Sequence, residues 1–386
     1  MEIARREFLK STAAFSLGCM MGMTAFSGEA LAAPSKTRMP LLQKGAREAM
    51  FYESLEGGIA HCLLCPCSPL DENCGFLKEG ELCVCNVRYS SGGKLYVTNY
   101  GKLSALHIDS IEKNPIYHMT PGRNNLAVAT AGCNLDCQCC QNWEMSQKRV
   151  DQVKCFSMTP REVVKKAKEN KCHGISYTYT EPVIFYEYML DTAKLAQQSG
   201  LKNCMVTGGY ILSEPLKLLT KHIDGFSVSV KGFTEDFYKK YCRGRLGTVL
   251  NALKILKEKG SWCEIVVLVI PTLSDNMDQI DWFCQWVKDN LGVTVPLHFS
   301  RFYPSYRMSS LPKTPVTTLE KAYKIARGKG LQYVYLGNLP GHEGGNTFCH
   351  KCRTLLIQRI GMKLIKSNIR GGKCPSCGAI IPGIWS

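Results

Sequence analysis

Cys133, Cys137 and Cys140 stand at C-x3-C-x2-C spacing in Ala131-Gly132-Cys133-Asn134-Leu135-Asp136-Cys137-Gln138-Cys139-Cys140-Gln141-Asn142-Trp143. Three thiolates on one short loop can bind three irons of a [4Fe–4S] cluster and leave the fourth iron open to a ligand. Cys349, Cys352, Cys374 and Cys377 form two C-x2-C pairs. Pro375 inside the second pair and Gly378 after it favour two tight knuckles. Tetrahedral four-sulfur ligation suits zinc or, less often, a single iron. Since the protein fills all four positions, such a site is structural; a redox dithiol pair is the alternative. Six more cysteines fall within residues 62–85. Cysteines two or three residues apart can point at one ion, so this segment also has metal-ligand spacing.

These groups dominate a chain of 386 residues with 21 cysteines. Disulfide scaffolds are usually small domains that lack a sufficient core, and this chain is long enough to bury a large one. The isolated Cys155, Cys172, Cys204, Cys242, Cys263 and Cys284 read as small buried hydrophobes. Apolar residues make up 45% and charged residues 21%, which excludes disordered and fibrous classes. No apolar run reaches the ~18 residues of a membrane span. The formal charge is +16. Two four-thiolate zinc sites and one three-thiolate cluster would bring it to roughly +11. A basic balance of that size keeps a nucleic-acid partner open.

Residues 1–32 carry the marks of a twin-arginine export signal. Arg5-Arg6 precedes an apolar stretch from Thr12 to Phe26, and Ala30-Leu31-Ala32 follows as a cleavage site. The expected mature protein is periplasmic and begins near Ala33, with no transmembrane span. A cytoplasmic protein with an uncleaved N-terminus is the alternative.

Three regions should follow: a cysteine-rich and β-hairpin region (33–125), a core (126–340) and a C-terminal four-cysteine zinc ribbon (341–386). Residues 34–60 read as a polar, helical lead-in. Lys94–Asn99 and Leu103–Asp109 flank Tyr100-Gly101-Lys102 as a hairpin. From residue 126, apolar strands alternate with amphipathic helices. Strands are expected at Leu126–Ala131, Ile175–Thr180, Asn203–Thr207, Phe226–Val230, Cys263–Ile270 and Pro296–Phe302, with a further apolar run at Tyr333–Leu336. Helices fit Pro160–Asn170, Pro182–Ser199, Glu214–Thr220, Gly247–Gly260, Asp278–Asn290 and Thr317–Gly330. This alternation argues an α/β fold, a partial (β/α)6 TIM-like barrel. Active sites of such barrels lie at the C-terminal ends of the strands, where the Cys133 loop falls.

A C-x3-C-x2-C loop after the first barrel strand resembles the radical S-adenosylmethionine (SAM) superfamily. Further segments resemble the radical enzymes of the AmmeMemoRadiSam system, which are similar to pyruvate formate-lyase activating enzymes. They are Gln141-Asn142-Trp143, Tyr186-Glu187-Tyr188, Val230-Lys231-Gly232-Phe233-Thr234, Phe299-Ser300-Arg301-Phe302 and Gly337–Gly344. The resemblance covers roughly residues 58–386. It implies that the chain is an enzyme that reductively cleaves SAM at a [4Fe–4S] cluster and abstracts a hydrogen atom from a substrate. A protein or peptide is the candidate substrate, and a flavodoxin- or ferredoxin-like protein the electron donor. By the same resemblance, Glu181 accepts a hydrogen bond from the methionine amine of SAM. Ser229 and Lys231 touch its ribose or carboxylate, and His298 contacts the cofactor. The family's N-terminal cysteines are best matched by Cys62, Cys65, Cys74 and Cys85. They make a second metal site, with zinc as the first choice and a second iron–sulfur cluster as the alternative. Cys67 and Cys83 are surplus to that pattern. Cys139 departs from it too, and stands beside Cys140 as an exchangeable or oxidative partner. Two rival functions are an RNA-modifying radical SAM enzyme and a non-catalytic iron–sulfur protein.

Overall fold

The computed structural model describes residues 46–70 and 73–385. The export signal expected over residues 1–32 lies outside the described residues. So does the lead-in up to residue 45. From residue 46 to 60 the lead-in is extended rather than helical. The chain runs through β1 (Arg47–Glu48), β2 (Tyr52–Leu55), β3 (Ile59–Cys62), β4 (Phe76–Leu77), β5 (Arg88–Ser91) and β6 (Lys94–Val97). Gly57 and Gly58, at φ 71° and 70°, turn β2 back onto β3, with Tyr52 opposite Cys62. Two consecutive residues at positive φ break a helix and suit a hairpin. The first six strands form two antiparallel three-stranded sheets, β2-β3-β4 and β1-β6-β5.

The hairpin expected around Tyr100-Gly101-Lys102 is absent. The tight turn is Gly92-Gly93, both at positive φ, which joins β5 to β6. A two-residue Gly-Gly loop matches the twist of paired strands, and that signal in the sequence is the better one. Gly101 instead redirects the chain into β7 (Lys102–Leu103) and β8 (Ala105–Ser110). β8 pairs antiparallel with β9 (Asn124–Ala129), Leu106 opposite Val128.

β9 is the first parallel strand of the core sheet. After β10 (Phe156–Ser157), which pairs with β7, come α1 (Pro160–Glu169), β11 (Gly174–Tyr177), α2 (Tyr186–Gln198), β12 (Lys202–Thr207) and α3 (Ser213–Leu219). Then follow β13 (Gly225–Val230), α4 (Leu246–Glu258), β14 (Trp262–Val269), α5 (Met277–Leu291), β15 (Leu297–Arg301), α6 (Val316–Gly328) and β16 (Val334–Gly337). The sheet order is β16-β15-β14-β13-β12-β11-β9-β8, parallel throughout except for β8. The run at Tyr333–Leu336 is thus a seventh parallel strand, Leu297 opposite Val334. The sequence marks the start of α1 clearly. Thr159 accepts from the N–H of Glu162 while Glu162 accepts from the N–H of Thr159, and Pro160 occupies the first turn. Phe226, Val228 and Val230 of β13 share one core with Val249, Leu253 and Leu256 of α4. The alternate residues Ser176, Cys204, Ser227, Glu264 and His298 lie on the opposite face of the strands. There the segment 114–118 crosses them: Asn114 Nδ2 donates to Ser176 Oγ at 3.0 Å.

Beyond β16, the strands β17 (Thr347–Phe348), β18 (Leu355–Ile360) and β19 (Lys363–Ser367) form an antiparallel sheet. A small second core of Tyr117, Tyr333, Tyr335, Leu356, Ile357 and Ile381 attaches it to the barrel. Among the described residues no helix is long and apolar enough to cross a membrane.

Candidate metal and cofactor site

The Cys133 loop leaves β9 through Gly132, at φ 100°. A Cβ there would lie 2.6 Å from the carbonyl oxygen of Cys85 and 2.8 Å from Val87, so only glycine fits. Two distant segments hold the loop. The N–H of Asp136 donates to Cys242 O at 3.0 Å and that of Gln138 to Tyr241 O at 2.9 Å. Arg307 N donates to Gln138 O, and Ser305 Oγ to Cys140 O at 3.1 Å. Asp136 receives Arg243 Nε at 3.3 Å and Arg307 Nη1 at 3.2 Å. Trp143 stacks on Tyr306 with ring centres 5.0 Å apart. The loop is therefore fixed by the strand ends around it.

Burial pushes the Cys133, Cys139 and Cys140 thiols up, and nearby donors and Lys231 act against it. Cys133 Sγ accepts from the N–H of Leu135 at 3.4 Å, and Cys140 Sγ lies 3.2 Å from Ser146 Oγ. Burial, then the charge of Glu181, pushes the Cys133 thiol up. The Cys137 thiol is held below its ordinary value by a hydrogen bond from the Cys242 thiol, and Lys231 acts in the same direction. Burial pushes the Lys231 ammonium down, but Cys137, Cys139, Cys242 and Cys140 more than offset it. Lysine charge, backbone N–H and hydroxyl around three loop thiols are what an iron–sulfur cluster needs, so the residues fit the group.

Glu181 ends the turn after β11 and caps Pro182–Phe185. It is 2% exposed. Oε1 accepts from Thr207 Oγ1 at 2.6 Å and Val183 N at 3.2 Å, and Oε2 from Gly208 N at 2.7 Å. Burial raises its pKa in spite of these bonds. A carboxylate offers about four acceptor positions, so Oε2 keeps one.

The structure thus gathers Glu181 and Lys231 around Cys133, Cys137, Cys139 and Cys140. Ser229 is half-buried on β13, two residues before Lys231 and on the same side of the strand. His298 lies in a different network. Its Nε2 is 2.8 Å from Glu264 Oε2, and its ring meets Tyr117 edge-on at 4.7 Å. It lines a cavity of about 320 Å³ with Lys113, Ser300, Tyr303, Asn338 and Arg359; no cysteine lines it. Nδ1 is the ring atom left for a ligand. Cys242, read from sequence as an ordinary buried cysteine, belongs beside Cys137. It sits in a π-helical turn, Tyr238–Cys242, a feature that often marks functional positions. No local signal in the sequence announces it.

At the other end of the chain, the Sγ atoms of Cys349, Cys352, Cys374 and Cys377 all lie within 4.8 Å of one another. The Cys349–Cys377 and Cys352–Cys374 separations are both 3.6 Å. Hydrogen bonds from Thr354 hold the Cys352 thiol at about 6. Four thiols so placed can close on a single ion.

The sequence profile of the radical SAM superfamily matches residues 128–283. The chain is 44% identical over 334 residues to an uncharacterized protein of Methanocaldococcus jannaschii, covering 86% of this chain and 98% of that protein. It is 26% identical over 168 residues to a pyruvate formate-lyase-activating enzyme of Clostridium pasteurianum, covering 41% and 67%. The crystal structure of a radical SAM methyltransferase from Sphaerobacter thermophilus superposes with a TM-score of 0.46 at 16% identity, over 57% of this chain and 68% of that one.

Proposed function

Because the chain belongs to the radical SAM superfamily and is an enzyme of that type, we propose that it cleaves SAM reductively and abstracts a hydrogen atom from a protein or peptide. The observation that carries this reading is the convergence of Glu181 and Lys231 on the loop of Cys133, Cys137 and Cys140. Those three thiolates would hold a [4Fe–4S] cluster and leave one iron for the amine and carboxylate of SAM. Such a cluster, when bound, supplies the electron that breaks a bond of the sulfonium. The chain's own residues bind and orient. Glu181 presents the remaining acceptor position of Oε2 to an amine. Lys231 keeps a positive charge against the thiolates. Leu135 N–H and the Ser146 hydroxyl stabilise sulfur charge. Burial of the loop keeps water from the reacting atoms. A protein substrate is supported by the relative named for activating another enzyme. The electron donor is a low-potential flavodoxin- or ferredoxin-like protein.

Anaerobic reconstitution with iron and sulfide, then dithionite and SAM, should give 5′-deoxyadenosine and methionine. Cys137→Ala, combined with Cys139→Ala so that the neighbouring thiol cannot take its place, should give neither, because the ligand count then leaves no slack. Retained cleavage in that variant would overturn the assignment.

The ribbon quartet is proposed to bind one structural zinc. The N-terminal sequence supports an exported protein. N-terminal sequencing of cell fractions should find a periplasmic chain beginning near Ala33, lost on Arg5→Lys with Arg6→Lys. An intact Met1 terminus indifferent to those changes would refute export.

A further inference from the structure

The core sheet ends at β16, so β16 has a strand on one side only. A parallel strand spends the backbone groups of every second residue on its neighbour. Tyr333 O accepts from Leu297 N at 2.9 Å, and Val334 stands opposite Leu297. Tyr333, Tyr335 and Gly337 therefore bond toward β15. The N–H and C=O groups of Val334 and Leu336 point the other way, along the outer edge. Among the described residues, β15 is the only strand that pairs with β16.

This edge is recessed. A cavity of about 530 Å³ follows it, lined by residues 332–336. That volume falls within the roughly 300–1,000 Å³ of ligand sites. One wall is α6, which contributes Tyr323. The other is the ribbon, which contributes Phe348 and Arg353. Arg353, at φ 62°, holds its guanidinium over the Phe348 ring at 5.3 Å. His342 closes one end, paired with Glu320 of α6 at 3.4 Å.

The shape of the groove selects its occupant. Walls of helix and ribbon protect the edge from indiscriminate pairing. The same edge of a second copy is equally recessed, so the two cannot meet. A single extended peptide can enter, and its backbone matches the N–H and C=O groups of Val334 and Leu336. Its side chains would alternate between the two walls, where Tyr323 and Phe348 suit apolar groups. The groove also leads toward the barrel interior. It shares Leu336 and His342 with the cavity that contains His298 and Ser300. Across the sheet, Ser229, Val266 and His298 stand in one row, so that cavity opens on the face that carries Ser229.

We propose that the outer edge of β16 docks an extended segment of the protein substrate as an added strand and passes the residues beyond it to the cavity at His298. Calling that segment a substrate rests on the proposed function; the docking itself does not. The reconstituted full chain is immobilised anaerobically and equilibrated with a pool of random heptapeptides, and the retained peptides are identified by mass spectrometry. Val334→Pro removes the outward N–H and leaves the bonds to β15 intact. Retention should fall roughly tenfold in that variant, the effect of one lost hydrogen bond. With the wild-type chain, N-methylation of a retained peptide, one amide at a time, should weaken binding at every second position, the period of a paired strand. Equal retention by Val334→Pro, a loss at consecutive positions or no retained peptide would overturn the proposal. So would a wild-type dimer that Val334→Pro dissociates, which would give the edge to a second copy. If Val334→Pro does not fold, the N-methyl series still decides. Retained peptides without SAM cleavage would sustain the groove and reject the proposed function. SAM cleavage without retained peptides would do the reverse.

Discussion

Two buried glutamates at the same sheet, Glu181 and Glu264, meet opposite fates. Glu264, on β14, accepts four hydrogen bonds: from Tyr117 N at 2.9 Å, His118 N at 2.7 Å, Trp262 Nε1 at 3.1 Å and His298 Nε2 at 2.8 Å. Burial opposes its charge, but these donors win and hold it at about 2. Around it, His118 Nε2 meets Tyr335 Oη at 2.5 Å, and Tyr335 Oη lies 2.9 Å from Thr347 Oγ1 of the ribbon. Glu181 has three donors, and burial wins, so its pKa is raised. A carboxylate bonded to two backbone N–H groups and an indole through Oε1 and to an imidazole through Oε2 is part of the frame. One left a donor short, beside a cysteine loop, is prepared for a ligand that brings the missing donor.

The contrast predicts separable damage. Glu264→Gln leaves the histidine, the indole and two backbone N–H groups without their anion. Each hydrogen bond to a buried charged group is worth about 1.5–3 kcal/mol, and Glu264 accepts four of them. Denaturant unfolding should therefore show a large loss of stability, while SAM cleavage per folded molecule persists. A stability equal to wild type would mean that the network is decorative. Glu181→Gln should do the opposite. Losing one charge-assisted hydrogen bond of about 2 kcal/mol weakens SAM binding roughly 30-fold. Its unfolding midpoint should stay close to wild type, and unaltered SAM affinity would remove Glu181 from the site.

Acid gives the smallest and most diagnostic effect. Burial holds His118 at about 4, below its ordinary 6.5. Below about pH 6.5 the unfolded chain takes up a proton that the folded chain refuses, so stability falls as pH drops from there toward 4. Glu264, at about 2 against an ordinary 4.5, adds a further loss below pH 4.5. The melting temperature should decline by a few degrees across the upper part of that range. His118→Gln should flatten that part alone. A slope unchanged in His118→Gln would place the acid sensitivity elsewhere.

How much of this was legible depends on distance along the chain. The Cys133 loop and the ribbon knuckles are short motifs whose ligand spacing is written in consecutive residues. The barrel strands were found within a few residues, because strands covered by helices must be nearly continuous apolar runs such as Ile265–Val269. Thr159, Pro160 and Glu162 likewise declare the start of α1 locally. The failures came where a turn could be written in more than one way. Tyr100-Gly101-Lys102 looked like a hairpin, but Gly92-Gly93 had the two positive-φ residues that the twist of paired strands requires.

The sequence by itself determined which thiols could act together on one loop, and that the chain builds a helix-covered parallel sheet. Only the tertiary structure decided which distant groups join them. Cys242 beside Cys137, and Arg243 and Arg307 on Asp136, depend on where separate strands end. The division between Glu181 and Glu264 has the same origin. Residue type and burial are alike for the two, and the number of donors that the folded chain brings to each carboxylate sets its charge and its use. Hydrogen bonds of that kind are made by backbone and side chains remote in sequence, so no local pattern can encode them.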